Sequence, residues 1–255
     1  MLADTRETSV VARAVAVLSA FTFRDSALSA AELARRARLP RSSAHRIIGD
    51  LVAEGLLERA PRGGYCLGMR LFELGLRAPR QRGLRDVAAP FLTDLRDATR
   101  QTVHLAVLDG AEVVYLDIIR TAPGPRLLSR VGGRMPATVT GVGKAILAFS
   151  PPQAVQAAVA ARLPRLTPHS ITDLATLRAQ LRRIAETNTA YDVQEQAMGT
   201  SCCASAIFGC GGEVLGAVSV AGHTGTLRLE HVASAVRSTA AGVSRMFGGQ
   251  VPAQS

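Results

Sequence analysis

The chain has 255 residues, 47% of them hydrophobic, and a formal net charge of +10. This composition excludes a disordered polypeptide, and the length predicts one large domain or two modest ones. No apolar run approaches the roughly 18 uncharged residues that a membrane helix needs. The first residues, MLADTRETSV, lack the basic and then apolar pattern of a signal peptide. We therefore expect a cytoplasmic protein that makes no membrane contact.

The four cysteines indicate neither a disulfide framework nor a metal site. Two of them are adjacent, none belongs to a C-x-x-C pair, and neither H-x-x-x-H nor H-E-x-x-H is present. We interpret them mainly as small core residues in a reducing compartment, and we expect no metal and no cofactor. They are Cys66, Cys202, Cys203 and Cys210.

Positive charge is concentrated in the first third of the chain. Residues 1–85 hold 15 Arg and eight acidic residues, a net charge of +7, whereas residues 86–255 carry only +3. A basic segment of this kind attracts phosphate backbones or acidic membrane surfaces. Charge alone establishes neither partner, so the local sequence pattern has to decide between them.

The pattern of this first third predicts three helices. Apolar residues recur at three- and four-residue steps over 9–21, which indicates the first helix. The second helix starts at a capping-box pattern, in which Ser29 and Glu32 each bond the backbone N–H of the other, and it runs to residue 37. Pro40 interrupts the pattern and leaves a third helix free to begin, over about 41–54.

The third helix and the hairpin after it predict a DNA-binding module. The apolar residues of the helix form one stripe, so its first turn is polar and cationic. Two short strands near 56–60 and 64–67 follow, joined by a turn at 61–64. Three helices and a hairpin make a winged helix-turn-helix, which places the start of its third helix in the major groove and the hairpin tip on adjacent DNA. The candidate DNA-binding residues are Arg41, Ser42, Ser43, His45, Arg46 and Arg62. For His45, a phosphate contact and packing against the second helix both remain open.

These residues also carry a resemblance to a known family. The segments SVVARAVAVLSAF, LSAAELARRARLPRSSAHRIIGDLVAEGLLER and GGYCLGMRLFELG resemble the DNA-binding domain of the IclR family of bacterial transcription regulators. The resemblance implies a winged helix-turn-helix domain over 7–68 and a linker helix over 69–76. It also implies a hinge over 77–83, a stretch that is rich in Arg, Pro and Gly.

The remaining two-thirds of the chain predict an α+β domain with a largely antiparallel sheet. A helix over 84–99 contains Pro90, which favours a kink or a late start. Two β-branched runs around Asp109-Gly110 indicate a hairpin over 102–119. The other predicted elements are strands at 127–131, 191–195, 202–208 and 214–220, and helices at 141–149, 151–162, 172–187 and 229–246.

No motif in this part requires catalysis. Gly141-Val-Gly-Lys144 is similar to part of a phosphate-binding loop, but Thr138 and Ala145 stand where that loop needs Gly and then Ser or Thr. No G-x-S-x-G elbow is present, and the five His residues show no pairing with a nucleophile. We therefore expect a protein that is not an enzyme.

The IclR resemblance implies a GAF-like effector-binding and oligomerisation domain over 84–249. Backbone amides near Gly141 and Val142, at a helix start, are suited to a carboxylate. By position in the family, the effector pocket falls on Met135, Gly141, Val142, Asp192, Thr200, Cys202, Ser219 and Ala221.

The sequence departs from the family pattern in ways that make this pocket less polar. Thr138-Val139 stands where His-Ala is common, Ala221 replaces a Ser, and Gln194 and Ser201 replace a frequent acid and Arg. We therefore expect an aromatic or otherwise larger organic acid as effector, rather than an acid of two or three carbons.

Together these features predict a ligand-responsive transcription regulator, a repressor more than an activator. One recognition helix covers few base pairs, so we expect a homodimer on a palindromic operator of double-stranded DNA. The resemblance further implies a dimer of dimers, with the linker helix coupling effector to DNA. Two alternatives stay open, namely a ligand-binding enzyme with an accessory basic module and a protein-interaction module whose winged helix binds protein. Turnover of a bound acid would indicate the first, and binding without steep salt dependence would indicate the second.

Overall fold

The computed structural model describes residues 9–122, 124–125, 127–160 and 163–250. The chain divides between Arg82 and Gly83 into two compact units, and each unit has its own hydrophobic core. The predicted start of the first domain at residue 7 and the predicted end of a helix at 161–162 lie outside the described residues.

The first unit is a winged helix-turn-helix, as predicted. It contains α1 (Val10–Ser19), α2 (Ala30–Arg36), α3 (Arg41–Ala53), β1 (Leu57–Arg59), β2 (Tyr65–Leu67) and α4 (Met69–Gly75). The predicted stripe of α3 faces the core through four buried apolar side chains, and α1, α2 and β1 supply the rest. The largest fully buried side chains of this core are Leu33, Ile47, Ile48 and Leu57.

The start of α2 differs in part from the predicted capping box. The Ser29 hydroxyl accepts the N–H of Glu32 over 3.2 Å, as expected. The Glu32 carboxylate does not reach back to Ser29 but accepts from Arg35 and Arg36. Arg36 also donates to Asp25, over 2.7 Å. Two arginines close to one carboxylate outcompete a neutral backbone N–H, because charge-assisted hydrogen bonds are the stronger ones.

The wing is an antiparallel hairpin in which Glu58 opposes Cys66. Leu28 forms an isolated β-bridge with it, exchanging backbone hydrogen bonds of 2.9 and 2.8 Å with Tyr65. Gly64 allows this approach because its φ is +83° and a Cβ there would lie 2.7 Å from the Leu28 carbonyl oxygen. The hairpin is therefore anchored to the body of the domain at its base.

The second unit begins with a helix that is longer than predicted. Helix α5 (Pro79–Thr99) starts five residues before the predicted residue 84 and runs through Pro90 without a break. Residues 79–83 of the predicted hinge over 77–83 are therefore helical, and the boundary between the two units, at Arg82 and Gly83, falls within this stretch. Only residues 76–78 lie between α4 and α5. Helix α5 buries an apolar stripe, and this burial stabilises the helix by more than the hydrogen bond lost at Pro90 destabilises it. The stripe consists of Leu84, Ala88, Leu92 and Leu95.

The second unit is built on one antiparallel sheet of six strands, in the order β5-β4-β3-β8-β7-β6. The strands are β3 (Thr102–Asp109), β4 (Glu112–Ile119), β5 (Arg134–Pro136), β6 (Ala190–Val193), β7 (Thr200–Phe208) and β8 (Val214–His223). The predicted α+β class with an antiparallel sheet is confirmed.

Helices cover both faces of this sheet. Helices α5 and α9 (Leu229–Met246) pack on one face over a core that includes Val103, Val218 and Val220. The other face carries a core of mostly smaller residues, including Ala106, Ala204 and Ala217, under three further helices. They are α6 (Gly141–Leu147), α7 (Pro152–Val159) and α8 (Leu174–Thr187).

Two further predictions for this unit are corrected. Residues 127–131 do not form a strand, and the edge strand is β5 at Arg134–Pro136 instead. The Ser129 carbonyl accepts from the Arg120 side chain over 2.5 Å, so this segment bonds a side chain rather than a neighbouring strand. Cys202 and Cys203 are core residues as expected, but Cys66 is only half-buried and Cys210 is exposed in the turn between β7 and β8.

The described ranges contain neither a clustered metal site nor a membrane-spanning helix. Among these residues, no group of three or more His, Cys, Asp or Glu side chains is placed to hold a metal ion. In the same part of the chain, every helix is too short or too polar to cross a membrane.

Candidate DNA interface and effector cavity

The exposed face of α3 holds the predicted DNA-binding residues. Ser42, His45, Arg46 and Gly49 recur at three- and four-residue steps, which places them on adjacent positions of one helix face. All four are exposed, whereas Ser43 is half-buried at the edge of the core. His45 therefore points to solvent and does not pack in the core between α2 and α3. This face is short and polar. Gly49, the residue of the face that follows Arg46, has no side chain, so a DNA groove can approach the helix closely.

The positive charges of this face and of the wing remain available to a ligand. Arg41 stands at the first turn of α3, and Arg62 is exposed at the hairpin tip. Within the described residues, no carboxylate pairs with Arg41, Arg46 or Arg62. The guanidinium of Arg59 lies 5.6 Å from the ring centroid of Tyr65, which holds a further cation on the hairpin. Arg59 was not predicted, although its place just before the turn was a usable signal.

A small cavity in the second unit collects most of the predicted effector residues. It lies between β3, β4, β7, β8 and the start of α6. Seven of the eight predicted residues line it, and they are Gly141, Val142, Asp192, Thr200, Cys202, Ser219 and Ala221. Met135 does not line it. This residue pairs with Val113 on edge strand β5 and packs against the core below.

The cavity is also lined by six residues that the sequence analysis did not predict. They are His104, Tyr115, Leu127, Ser129, Thr140 and Gln196. Strand alternation could have found His104, because it stands directly opposite Ser219 in the register of β3 and β8. Leu127 and Ser129 come from the segment that the sequence predicted as a strand but that is irregular in the structure, so strand alternation does not apply to them.

The cavity is almost filled by its own lining. Its volume is about 20 Å³, which is room for about one water molecule. An aromatic acid needs more space than this, so the lining must move outward to admit one. Leu127, Ser129, Thr140 and Gln196 are the lining residues that lie outside the helices and strands.

His104 connects two sides of the cavity as a neutral side chain. Its Nε2 lies 2.8 Å from the Ser129 hydroxyl and its Nδ1 lies 3.3 Å from the Ser219 hydroxyl. Burial, together with the charge of Arg120, lowers the pKa of His104 to about 3. At neutral pH the ring therefore offers one donor and one acceptor and adds no positive charge.

Asp192 is the acidic group of the cavity. Burial and the nearby Glu195 carboxylate raise the pKa of Asp192 to about 7. Its Oδ1 accepts the backbone N–H of Glu195 over 2.8 Å. The side chain thus holds a proton in a large part of the molecules near neutral pH, and in that form it donates a hydrogen bond.

A buried ion pair supports this wall of the cavity. Lys144 is fully buried, and its Nζ donates to Glu195 and, over 2.9 Å, to Gln180. The lysine that resembled part of a phosphate-binding loop therefore holds the 192–196 segment in place. Such a pair is costly to break, because either charge alone would remain buried without a partner.

The start of α6 closes the cavity from the other side. The Thr140 hydroxyl accepts the N–H of Gly143 over 3.1 Å and so caps the helix. A Cβ at Gly141 would lie 2.8 Å from Cys202 Sγ, so only glycine fits against this thiol. Burial raises the pKa of the Cys202 thiol well above its ordinary value, so it stays uncharged.

One buried polar group of the lining has an unused hydrogen atom. Within the described residues, the amide Nε2 of Gln196 has no hydrogen-bond partner, although the residue is buried. A buried donor without an acceptor carries a free-energy cost that a ligand oxygen would remove. Of the departures from the family pattern, Ala221 lines the cavity, whereas Thr138, Val139, Gln194 and Ser201 do not. Ser201 bonds Thr224 over 2.9 Å, and Gln194 accepts the N–H of Gly199.

A basic winged helix-turn-helix joined to an α/β unit with an internal cavity is the architecture of a two-domain DNA-binding transcription regulator. Residues 10–61 match the family described as IclR helix-turn-helix domain. Residues 77–245 match the family described as bacterial transcriptional regulator IclR C-terminal. The chain belongs to the IclR family of transcriptional regulators.

Individual relatives agree with this assignment. The HTH-type transcriptional regulator Rv1719 of Mycobacterium tuberculosis is 36% identical over 220 residues, which are 85% of this chain and 84% of the relative. The HTH-type transcriptional repressor AllR of Salmonella typhi is 28% identical over 94% of this chain and 90% of its own. The matching families and relatives are regulators of transcription, not enzymes.

A solved structure extends the similarity to nearly the whole chain. An IclR homolog from Microbacterium hydrocarbonoxydans, crystallised with 4-hydroxybenzoate, superposes with a TM-score of 0.87 at 32% identity. The match covers 93% of this chain and 98% of that one.

Proposed function

We propose that the protein represses transcription by binding a palindromic operator as a homodimer, and that a small aromatic acid in the effector cavity controls this binding. The observation that carries the proposal is the joint presence, in one chain, of an unpaired basic recognition face and a buried cavity with a titratable Asp192. A DNA-binding role places the protein with the chromosome, in the cytoplasm.

The DNA-binding part of the proposal assigns α3 to the major groove. Arg46 and Ser42 then face base edges, Arg41, Ser43 and His45 contact base edges or phosphates near the start of the helix, and Arg62 contacts phosphate from the wing. A single module of this size reads few base pairs, so two copies on a symmetric site supply the specificity. For the second unit, we propose that it joins two such dimers into a tetramer.

The effector part of the proposal assigns a GAF-like sensing role to the second unit. Apolar Val142, Leu127 and Ala221 suit the body of an aromatic ring, and the protonated Asp192 and Gln196 amide donate to ligand oxygens. The relative from Microbacterium hydrocarbonoxydans was crystallised with 4-hydroxybenzoate, and the repressor AllR is among the relatives. Both facts support an aromatic acid and a repressor, respectively.

Operator binding in the presence of acids tests the proposal. Gel shifts with DNA from upstream of the protein's own gene and its neighbours, with excess nonspecific competitor, should give specific retention. The retention should fall steeply between low and moderate salt, because several phosphate contacts release counterions. Adding 4-hydroxybenzoate or another benzoate should change the retained fraction.

The opposite results would reject specific parts of the proposal. Retention of no tested DNA by the folded dimer would reject operator binding and favour the enzymatic or protein-interaction alternative. Tighter calorimetric binding of pyruvate or glyoxylate than of every aromatic acid would reject the aromatic effector. An acid that tightens operator binding, with expression rising in cells, would indicate an activator.

A further inference from the structure

A second and larger cavity lies between α8 and the edge strand β6. Its volume is about 500 Å³, whereas the effector cavity holds about 20 Å³. Ligand pockets of proteins generally occupy about 300–1,000 Å³. We call it the α8–β6 trough, and its walls are formed by residues 169–195 with Arg237 from α9.

The two long walls of the trough follow from the periodicity of their elements. From α8, Gln180, Arg183, Ile184 and Thr187 line it, and their spacing of three, four and seven residues defines one helix face. From β6 and its flanks, every second residue from Thr189 to Glu195 faces the same cavity. The trough is therefore formed by regular elements and does not depend on a loose surface loop.

One end of the trough is cationic. The Thr187 hydroxyl lies 3.5 Å from the Thr189 carbonyl oxygen at this end, and Arg237 Nη1 donates to the Thr189 hydroxyl over 3.0 Å. Arg183 lines the trough from α8. Burial raises the pKa of the Tyr191 hydroxyl, and the charges of Arg237, Glu230 and Arg183 also act on it. Two guanidinium groups beside an aromatic hydroxyl are a favourable arrangement for a carboxylate.

The other end of the trough offers an acceptor. Gln180 and Glu195 both accept from the buried Lys144 and so lie side by side there. The second carboxylate oxygen, Glu195 Oε2, has no hydrogen-bond partner within the described residues, and Glu195 is only 5% exposed. A buried anionic oxygen without a partner calls for a donor, because its desolvation is otherwise uncompensated.

We propose that the α8–β6 trough is a second ligand site, which takes an organic acid bearing a hydroxyl or amino group at the end opposite its carboxylate. The carboxylate lies against Arg183 and Arg237, the apolar body against Ile184, Tyr191 and Val193, and the donor group towards Glu195. The site is separate from the effector cavity, since the two share no lining residue.

Calorimetry with 4-hydroxybenzoate as the probe tests the site through stoichiometry. The wild-type protein should bind two molecules per chain. The double variant Arg183→Gln, Arg237→Gln should lose one of them or bind it at least about tenfold more weakly, since each charge-assisted bond contributes strongly. The control is Arg182→Gln, which removes one positive charge from the residue that precedes Arg183 in α8 and lines a different cavity. It should bind like the wild type.

Three further measurements test the trough and its independence from the effector cavity. Gly141→Ala crowds the effector cavity and should remove the other molecule while leaving trough binding intact. Benzoate, which lacks the donor, should bind the trough more weakly than 4-hydroxybenzoate. Crystals soaked in 3-bromo-4-hydroxybenzoate should show an anomalous bromine peak near Tyr191 and Glu195.

The proposal is overturned if one molecule binds per chain and only Gly141→Ala removes it. It is equally overturned if the arginine double variant and Arg182→Gln bind alike, or if the bromine peak is absent from the trough. A bromine peak there without a calorimetric site would mean binding at crystal concentration only and would also reject it. None of these results bears on operator release, which tests the proposed function independently.

Discussion

The backbone N–H of Glu195 donates to the Asp192 carboxylate over 2.8 Å, so two carboxyl groups that face different cavities are joined across a single turn. Lys144 donates to the Glu195 carboxylate, and burial and the charge of this carboxylate are the two causes of the raised pKa of Asp192. The pKa of Asp192 therefore responds to a charge on the far side of the 192–196 segment as well as to its own burial.

The titration of Asp192 should make effector binding depend on pH. Above its pKa of about 7 the ionised carboxylate repels an acidic ligand, and below it the protonated group donates to one. We expect the affinity for an aromatic acid to fall by about tenfold between pH 6 and pH 8, as one coupled proton requires. In Asp192→Asn the affinity should be nearly independent of pH. Calorimetry at several pH values measures this, and an unchanged pH profile in the variant would contradict it.

The same group should lower folding stability as pH rises. Its pKa is raised in the folded state, so its contribution to stability is present in full below the ordinary value of 3.8 and is lost as pH approaches about 7. Denaturant unfolding of wild type and Asp192→Asn should therefore differ more at pH 8 than at pH 4. A constant difference would show that Asp192 ionises in the folded protein as freely as in the unfolded chain.

Gly141→Ala should abolish effector binding without preventing operator binding. The new Cβ would lie 2.8 Å from Cys202 Sγ in a cavity that has no spare volume. Replacing the thiol as well, in Gly141→Ala with Cys202→Ala, removes the clashing atom and should restore binding. Gel shifts with and without the acid check both variants. Normal response to the acid in Gly141→Ala alone would place the effector elsewhere.

Arg46→Ala should weaken operator binding by about 1–3 kcal/mol, if its guanidinium reads a base edge. Arg24→Ala is the matched control, because Arg24 is exposed in the same unit but lies between α1 and α2, away from the α3 face. Fluorescence anisotropy with labelled operator measures both affinities. If both variants lost the same amount of operator affinity, Arg46 would contribute only its positive charge and would not read a base edge.

The ion pairs around α2 should make the first unit sensitive to acid. Hydrogen bonds from Arg36 and Thr22 hold the pKa of Asp25 well below its usual range, and those from Arg35 and Arg36 lower the pKa of Glu32 to about 2. Their stabilisation is present above the ordinary values of 3.8 and 4.5 and is lost as pH falls through the lowered ones. Asp25→Asn should thus have a lower free energy of unfolding than the wild type at pH 6, and this difference should be smaller at pH 3. Asp94 is exposed, and Asp94→Asn should have the free energy of unfolding of the wild type at both pH values.

Elements with a strong period were predictable, and those set by tertiary contacts were not. The apolar stripe of α3 and the span Leu229–Met246 of α9 were predicted from their spacing alone. The unbroken course of α5 through Pro90 depends on burial against the sheet, which a local pattern does not reveal. The segment 127–131 has the composition of a strand, but its Ser129 is bonded by side chains from elsewhere in the chain.

The candidate sites show the same division. Recognition-helix residues are neighbours in sequence, and seven cavity residues followed from family position. Arg183 and Arg237 stand on different helices, and only the folded chain brings both to the trough. His104 and Ser129 come together across 25 residues through an irregular segment, so no spacing rule could pair them.

The 192–196 segment forms a wall of both cavities, and thermodynamics constrains what such a wall can transmit. If both cavities bind acids, any factor by which the first acid changes the affinity of the second must equal the factor by which the second changes the first. A protein with this shared wall would not respond to the concentration of one acid alone. Its response to one acid would depend on the concentration of the other.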